Sequence, residues 1–291
     1  MSKPKILLQF DSDPHASVFD AVVAIDAGVD QLLQYAALEP QQVRDLAHGA
    51  MFTRGPQDLQ QTAIFIGGSN VGRGEELLGA VKRCFFGPMR VSVLLDANGA
   101  NTTAAAAIIA AARHLNLAET TATVLAATGP VGQRAARLLA GQGATVKLAS
   151  RSAERAGEAC NKLQERLPQA KLSAVQTTNA KETAEAIAGS QLVIAAGAAG
   201  VELLQEEIRA AANSLKVAID LNAVPPVGIA GIDAGDKAKD RNGVICYGAL
   251  GVGGTKMKIH LAAIRQLFTA NNLILDAEEV LQIGQLLDAE K

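Results

Sequence analysis

Two stretches of the chain pair residue types and spacings suited to holding phosphate. In the first, Ala127, Thr128, Gly129, Pro130, Val131 and Gly132 follow the apolar run from Thr121 to Ala126 and precede a helical pattern through Leu139. Strand, tight turn and helix in that order make the phosphate-binding turn of dinucleotide folds. The middle glycine admits the pyrophosphate, and the last lets the helix pack on the strand. Gly129 and Gly132 fill those places, while Ala127 stands where a first glycine is usual and calls for a negative φ there. The helix start adds amide donors and a favourable dipole. In the second stretch the run from Thr145 to Ala149 ends in Ser150, Arg151 and Ser152, with Arg155 a turn later. An acidic residue at this spacing holds the ribose of NAD, whereas a hydroxyl and a guanidinium suit a 2′-phosphate. The pattern therefore predicts NADP as the preferred cofactor. Ala196 and Gly197, closing the run that starts at Gln191, are assigned to the same site. The plainer alternatives are a ligand-free turn and, for Arg151, a solvated helix start.

Other polar clusters sit where strands are expected to end. Asp96, Asn98, Gly99, Asn101, Thr102 and Thr103 lie between an apolar run and an Ala-rich helix, with Thr102 or Asn101 as the expected N-cap. Gly248, Gly251, Gly253 and Gly254 read as a flexible turn leading into a helix that bears Lys256, Lys258 and His260. Lys256 and His260 are four apart and share a face. The plainer reading is a solvated basic helix start, but cations there oppose the helix dipole, which favours a functional role for Lys256. Asp11, Asp13 and His15 surround Pro14 and read as an Asx-type turn before a metal site. Phe19 and Asp20 follow on a helix, an aromatic beside an acid suited to a planar heterocycle.

The elements that must position these residues alternate in the manner of parallel strands joined by crossover helices. Expected strands are Lys5 to Phe10, Thr62 to Gly67 and Val91 to Leu95, with helices near Ser17 to Gly28, Gly74 to Phe85 and Thr103 to Leu115. After Asn116 a second series places strands at 121–126, 145–149, 191–196, 217–221 and 244–247. Helical periodicity returns over 256–268 and 277–287. The fold class is α/β with two parallel-sheet domains, the second of Rossmann type. Residues 1–115 with 255–291 form one domain and residues 116–254 the nucleotide domain, with the ligands expected in a cleft between them.

Composition narrows the function. The 291 residues are 49% hydrophobic with a net charge of -2, which argues against a disordered or polybasic chain and against a nucleic-acid partner. Cys84, Cys160 and Cys246 stand apart with no paired spacing, so neither disulfides nor a zinc site is expected, and a reducing cytoplasm fits. The longest apolar stretch, Ala104 to Ala112, is too short for a membrane span, which needs roughly 20 residues. The start of the chain reads as a strand and not a signal peptide.

With these residues in view the sequence resembles, nearly end to end, the NADP-dependent methylene-tetrahydromethanopterin dehydrogenases of methylotrophic bacteria. The matching stretches are Gln9-Phe10-Asp11 with Ser17-Val18-Phe19-Asp20, Phe85-Phe86-Gly87-Pro88, Leu95-Asp96 with Asn98-Gly99 and Asn101-Thr102-Thr103, and Thr128-Gly129-Pro130-Val131-Gly132. Later come Pro225-Pro226, Gly231-Ile232-Asp233 and Gly248-Ala249-Leu250-Gly251, ahead of Lys256, Lys258 and His260. The resemblance implies a catalytic and a nucleotide domain in a homotrimer whose neighbouring subunit helps complete the site. It implies that Phe19, Thr102 or Thr103, Lys256 and His260 lie around a reduced pterin, and Asn98 is assigned to the same substrate site. Some members accept NAD as well as NADP, and some accept tetrahydrofolate. Ala127 departs from the family's usual glycine.

The implied reaction moves a hydride from a carbon bridging two nitrogens to the nicotinamide. Alignment and electrostatics then matter more than a general base. Asp20 is expected to supply negative charge, and Lys256 and His260 to hold pterin carbonyl or amide groups. The rivals are a shikimate-type NADP-dependent dehydrogenase, whose Ser-rich substrate motif is missing here, and a non-catalytic NADP-binding regulator. Folate enzymes that add hydrolysis of the methenyl product carry a Tyr followed four residues later by Lys. Here Tyr35 and Tyr247 are followed at that spacing by Glu39 and Gly251, so the reaction is expected to stop at the methenyl stage.

Overall fold

A computed structural model describes residues 3–290. Two sheets form, and the chain divides into one unit of Met1–Thr102 with Met257–Lys291 and a second of Thr103–Lys256.

In the first unit, β1 (Ile6–Phe10), α1 (Val18–Asp26), β2 (Gln31–Tyr35), α2 (Val43–Phe52), β3 (Thr62–Ile66), α3 (Val71–Cys84) and β4 (Ser92–Leu95) follow one another, and α4 (Ala100–Ala112) leads out. With β12 (Ile274–Leu275), added late in the chain, the sheet has the order β12-β4-β3-β1-β2, parallel throughout. Strand β3, Thr-Ala-Ile-Phe-Ile, is buried at every position, as a central parallel strand covered on both faces must be. Leu8, Phe10, Ile64, Ile66, Val93 and Leu95 form one core with Ala47 and Met51 of α2 and Leu77 and Val81 of α3. Phe10 pairs with Ile66 and Ile66 with Leu95, so β1, β3 and β4 end level and bring Asp11, Gly67 and Asp96 to one edge.

The second unit holds β5 (Thr121–Leu125), α5 (Pro130–Gly141), β6 (Thr145–Ser150), α6 (Ala153–Arg166), β7 (Lys171–Gln176), α7 (Ala180–Ile187), β8 (Leu192–Ala195), α8 (Glu206–Ala211), β9 (Val217–Asp220), β10 (Lys239–Arg241) and β11 (Val244–Tyr247). Its sheet order is β10-β11-β9-β8-β5-β6-β7, parallel except for the β10–β11 pair. The order reverses at β5, the switch point where open α/β sheets bind ligands. Helix α9 (Ala249–Gln266) then carries the chain back to the first unit, where α10 (Ala277–Ala289) closes the described fold.

Three expectations need correction. Strands β2, β7, β10 and β12 were not foreseen. Helix α4 begins at Ala100, so Asn101 and Thr102 lie inside its first turn and neither caps it. Helix α9 begins at Ala249, about two turns before Lys256. Gly251, Gly253 and Gly254 are therefore helical residues and not a flexible turn, and Gly248 immediately precedes the helix. A Cβ at Gly248 would lie 2.1 Å from the Asp233 carbonyl oxygen and one at Gly251 1.8 Å from that of Asp236, so glycine is what lets α9 start against this backbone. The Ala234 and Asp236 carbonyls accept from Leu250 and Gly248 N–H at 2.8 and 2.9 Å, satisfying the helix start. Lys256 is thus clear of the first turn, and the dipole argument for it does not hold.

Candidate functional site

At the first sheet's carboxyl edge, Asp11 is fully buried, with Oδ1 accepting from Asp13 N–H at 2.9 Å and Oδ2 from Ser17 N–H at 3.0 Å. This is the expected Asx-type turn. Asp13 in turn accepts from the Ser69 N–H and hydroxyl, both at 2.9 Å, tying the loop after β1 to the loop after β3. Ser17 caps α1 by accepting from Asp20 N–H, which sets Phe19 and Asp20 in that helix's first turn. A carboxylate is stable there because the helix N-terminus is positive.

His260 of α9 comes to the same place. Its ring stacks on Phe65 at 5.6 Å between centroids and lies 6.3 Å from Phe19, and its Nε2 is 4.0 Å from Asp20 Oδ1. A Cβ at Gly67 would stand 3.0 Å from the Phe65 ring and 3.2 Å from Asp20 Oδ2, so the glycine gives both room. Phe19 is 51% exposed while His260 is fully buried. The exposed surface here is therefore Phe19, with His260 behind it as support. The structure brings Phe19, Asp20 and His260 together. Phe65 and Gly67, which complete the group, carry no signal in the sequence beyond an apolar strand and a turn.

The cluster after β4 is built on Asp96. Its Oδ1 accepts from Asn101 and Thr102 N–H, each at 3.0 Å, and its Oδ2 from the Thr102 hydroxyl at 2.6 Å. Asp96 is thus the acceptor that serves the start of α4. Asn101 donates to the Leu95 carbonyl and, at 3.0 Å, to Asp276, the N-cap of α10. Thr102 is fully buried with its hydroxyl on Asp96, a supporting place. Thr103 is half-buried, and Asn98 is exposed with a φ of 56° and its N–H on the Gly68 carbonyl. Lys256 lies half-buried on α9, one turn before His260.

In the second unit, the turn after β5 takes its left-handed residue at Ala126, φ 55°, and Ala127 keeps the ordinary sign while donating to the Ala149 carbonyl. A Cβ at Gly132 would lie 2.6 Å from the Ala126 carbonyl oxygen and 2.8 Å from Ala127 Cα, so only glycine lets α5 approach β5. Gly129 differs: its φ is -79° and a Cβ would meet nothing nearer than 3.5 Å. No protein atom demands glycine there, which leaves room for a ligand to approach. Helix α5 starts at Pro130 with no side-chain cap, so no side chain of the N-cap residue Gly129 serves the amides of its first turn. The turn fits a dinucleotide pyrophosphate.

Ser150 is buried at the end of β6, its Oγ accepting from Ser152 N–H at 3.2 Å, and Ser152 caps α6 through Arg155 N–H. Arg151 and Arg155 are exposed. Arg151 lines a cavity of about 270 Å³ with Leu125, Thr177, Thr178, Val201 and Leu203. Thr177 and Thr178, at the end of the unforeseen β7, escaped the sequence reading for that reason. Ala196 donates to the Leu125 carbonyl, and a Cβ at Gly197 would meet Leu203 at 2.8 Å. Among the described residues no group of three or more His, Cys, Asp or Glu is placed to hold a metal ion.

A doubly wound sheet with this turn, in a chain that also builds a second parallel α/β unit, defines a two-domain dinucleotide-binding dehydrogenase. The family model for the N-terminal region of methylene-tetrahydromethanopterin dehydrogenase matches residues 18–98. The bifunctional protein MdtA of Methylorubrum extorquens is 44% identical over 98% of this chain and 99% of its own. From the same organism, an NAD(P)-dependent methylenetetrahydromethanopterin dehydrogenase is 33% identical over 93% of this chain and 94% of its own. The chain belongs to the methylene-tetrahydromethanopterin dehydrogenase family. Among solved structures, shikimate 5-dehydrogenase from Listeria monocytogenes superposes with a TM-score of 0.52 over 98% of this chain and 96% of that one, at 14% identity, a likeness of fold alone.

Proposed function

We propose that this protein is an NADP-dependent dehydrogenase of one-carbon metabolism. It oxidises the methylene bridge of methylene-tetrahydromethanopterin to the methenyl product, accepts methylene-tetrahydrofolate as a second substrate, and uses NAD as the weaker nucleotide. The observation that carries this reading is a glycine turn whose Gly129 leaves space that no protein atom requires, in a chain 44% identical to a member of the family along nearly its whole length.

Residues 116–254 serve as the nucleotide domain, and residues 1–115 with 255–291 as the pterin domain. The first-turn amides of α5 take the pyrophosphate, and Arg151 with Arg155 the 2′-phosphate, where Ser150 can add a donated proton. Bound NADP supplies the hydride acceptor. The departing hydride leaves a cation shared by two nitrogen lone pairs, so no side chain has to remove a proton. The chain's part is alignment and field. Phe19 offers an exposed ring for a planar heterocycle, backed by buried His260 and Phe65. Asp20 supplies negative charge toward the developing cation. Lys256 holds a pterin carbonyl or amide away from the reacting carbon, and Asn98 and Thr103 add polar contacts that Thr102 and Asp96 support from beneath.

The working form is a cytoplasmic homo-oligomer, a trimer as the resemblance implies. Free thiols at Cys84, Cys160 and Cys246 fit a reducing compartment. Among the described residues no helix is long and apolar enough to cross a membrane. The exposed apolar side chains of Val18, Val22 and Ile25 along α1, with Leu33 of β2, suit a subunit contact. The test is NADP reduction, followed by absorbance, with methylene-tetrahydromethanopterin and separately with shikimate, on protein whose molar mass is measured by light scattering. Turnover with the pterin alone is expected. Turnover with shikimate alone overturns the substrate, and nucleotide binding with no turnover of either makes the protein a regulator.

A further inference from the structure

Strand β9 ends on a carboxylate, Asp220, only 1% exposed. Both its oxygens are committed to the backbone of the segment that follows. Oδ1 accepts from Asn222 N–H at 3.0 Å and Oδ2 from Ile229 N–H at 2.9 Å, and Gly228 N–H adds a further bond. Asn222, also buried, continues the stitching by donating to the Pro226 carbonyl at 3.1 Å and accepting from Val224 N–H at 2.9 Å. The segment is tied sideways as well: Leu203 and Leu204 N–H donate to the Gly228 carbonyl at 2.8 and 3.1 Å. At Gly228 a Cβ would stand 2.7 Å from Asp220 Oδ1 and 3.2 Å from Ala195 Cβ, so this backbone closes directly over the acid.

A connection whose only duty is to reach β10 can run over the surface with its amides on water. Burying a carboxylate to gather those amides carries a desolvation cost, which burial registers by pushing the Asp220 carboxyl up while the three amides oppose it. What the arrangement gains is a fixed backbone at a chosen place. That place is defined by the sheet: Asp220 pairs with Ala195 at the end of β8, and β8 neighbours β5. In a doubly wound sheet the two halves of a dinucleotide lie on either side of the glycine turn. Arg151, after β6, marks the adenosine side, which leaves the ends of β8 and β9 to the nicotinamide side. The stitched segment also holds out one large apolar side chain, Val224, 51% exposed.

We propose that Asp220 is a positioning residue for hydride transfer, fixing residues 221–228 as the wall against which the nicotinamide half of the cofactor seats. The inference rests on the nucleotide reading given above. The test compares wild type, Asp220→Asn and Asn222→Ala by hydrogen exchange over residues 221–230, by affinity for NADP and for adenosine 2′,5′-bisphosphate, and by steady-state kinetics. In the wild type, NADP is expected to slow exchange in this segment and the bisphosphate to leave it unchanged. Each variant should lose that protection and about tenfold in kcat while binding the bisphosphate within about twofold of wild type. Loss of folding alone would lower bisphosphate binding in step with kcat, and Asn222→Ala, which leaves the acid in place, carries the test if Asp220→Asn fails to fold. Equal protection by both ligands, or full kcat and NADP affinity in both variants, overturns the proposal. A wild type that binds neither nucleotide overturns the reading beneath it, and the wild-type arm alone tells the two failures apart.

Discussion

Gly129 and Gly132 stand three residues apart in one turn and are glycine for different reasons. Gly132 answers to the protein, since its missing Cβ would fall 2.6 Å from the Ala126 carbonyl oxygen, whereas nothing lies within 3.5 Å of the place a Gly129 Cβ would take. Gly132→Ala is therefore expected to lower stability by about 1–3 kcal/mol through overpacking. Gly129→Ala should melt like wild type and yet bind NADP poorly; a Gly129 variant with unchanged NADP affinity would remove the pyrophosphate from this turn. Arg151 is exposed and follows buried Ser150 at the end of β6, where the sequence has Ser-Arg-Ser in place of an acidic residue. Arg151→Ala should weaken NADP about tenfold and NAD hardly at all, and titration of both nucleotides checks the ratio. Lys256 faces a different ligand in this scheme. Steady-state kinetics of Lys256→Ala should show a pterin KM or kcat changed by about tenfold with the NADP KM preserved, and unaltered pterin parameters would leave it a solvated helix residue.

At the scale of elements, α4 and β11 meet through His114, just past the helix, and Tyr247, whose hydroxyl shares a 2.8 Å hydrogen bond with His114 Nε2. Partial desolvation of this otherwise exposed residue, with Arg113 adding to it, holds the imidazole below its ordinary value of 6.5. The unfolded chain therefore takes up this proton first as pH falls. The stability contributed by the neutral ring is complete above about pH 6.5 and declines on acidification toward the lower folded value. His114→Asn should flatten the fall in Tm between about pH 7 and about pH 5 relative to wild type, and parallel Tm curves would exclude the pair as its source. The strands legible in the sequence were the interior ones. β3, β8 and β9 are buried at every position and read as plain apolar runs. The edge strands β2 (Gln-Leu-Leu-Gln-Tyr) and β7 (Lys-Leu-Ser-Ala-Val-Gln) are mostly exposed and carry polar residues that mimic a loop. With β7 went Thr177 and Thr178. The start of α9 was hidden for another reason: Gly248 and Gly251 answer to the backbone of residues 233–236, a contact that leaves no local mark in the sequence. The Asp96 acceptor was likewise masked, because it serves α4 from across a short 3-10 turn and Asn101 and Thr102 look like better caps by residue type.

For the molecule as a whole, the open question is where its chemistry ends. Hydration of a methenyl bridge needs water delivered to the carbon just oxidised, with a group poised to take its proton. Enzymes that join this step to dehydrogenation use a Tyr and a Lys four residues on, and both tyrosines of this chain are engaged otherwise. Tyr35, at the end of edge strand β2, packs edge-on against Phe10, and Tyr247 is buried against His114. The residues at the required spacing are Glu39 and Gly251, the latter pressed against the Asp236 carbonyl. His260, which is packed with Phe19 and Asp20, is fully buried between the Phe19 and Phe65 rings. The expected outcome is that the protein releases the methenyl compound and leaves hydrolysis to a separate enzyme. Supplying purified protein with that compound and no nucleotide, and following its absorbance against a protein-free control, decides the matter. Decay that scales with protein and keeps pace with dehydrogenation would show a bifunctional site and require either Lys256 or His260 to reach the bridge carbon.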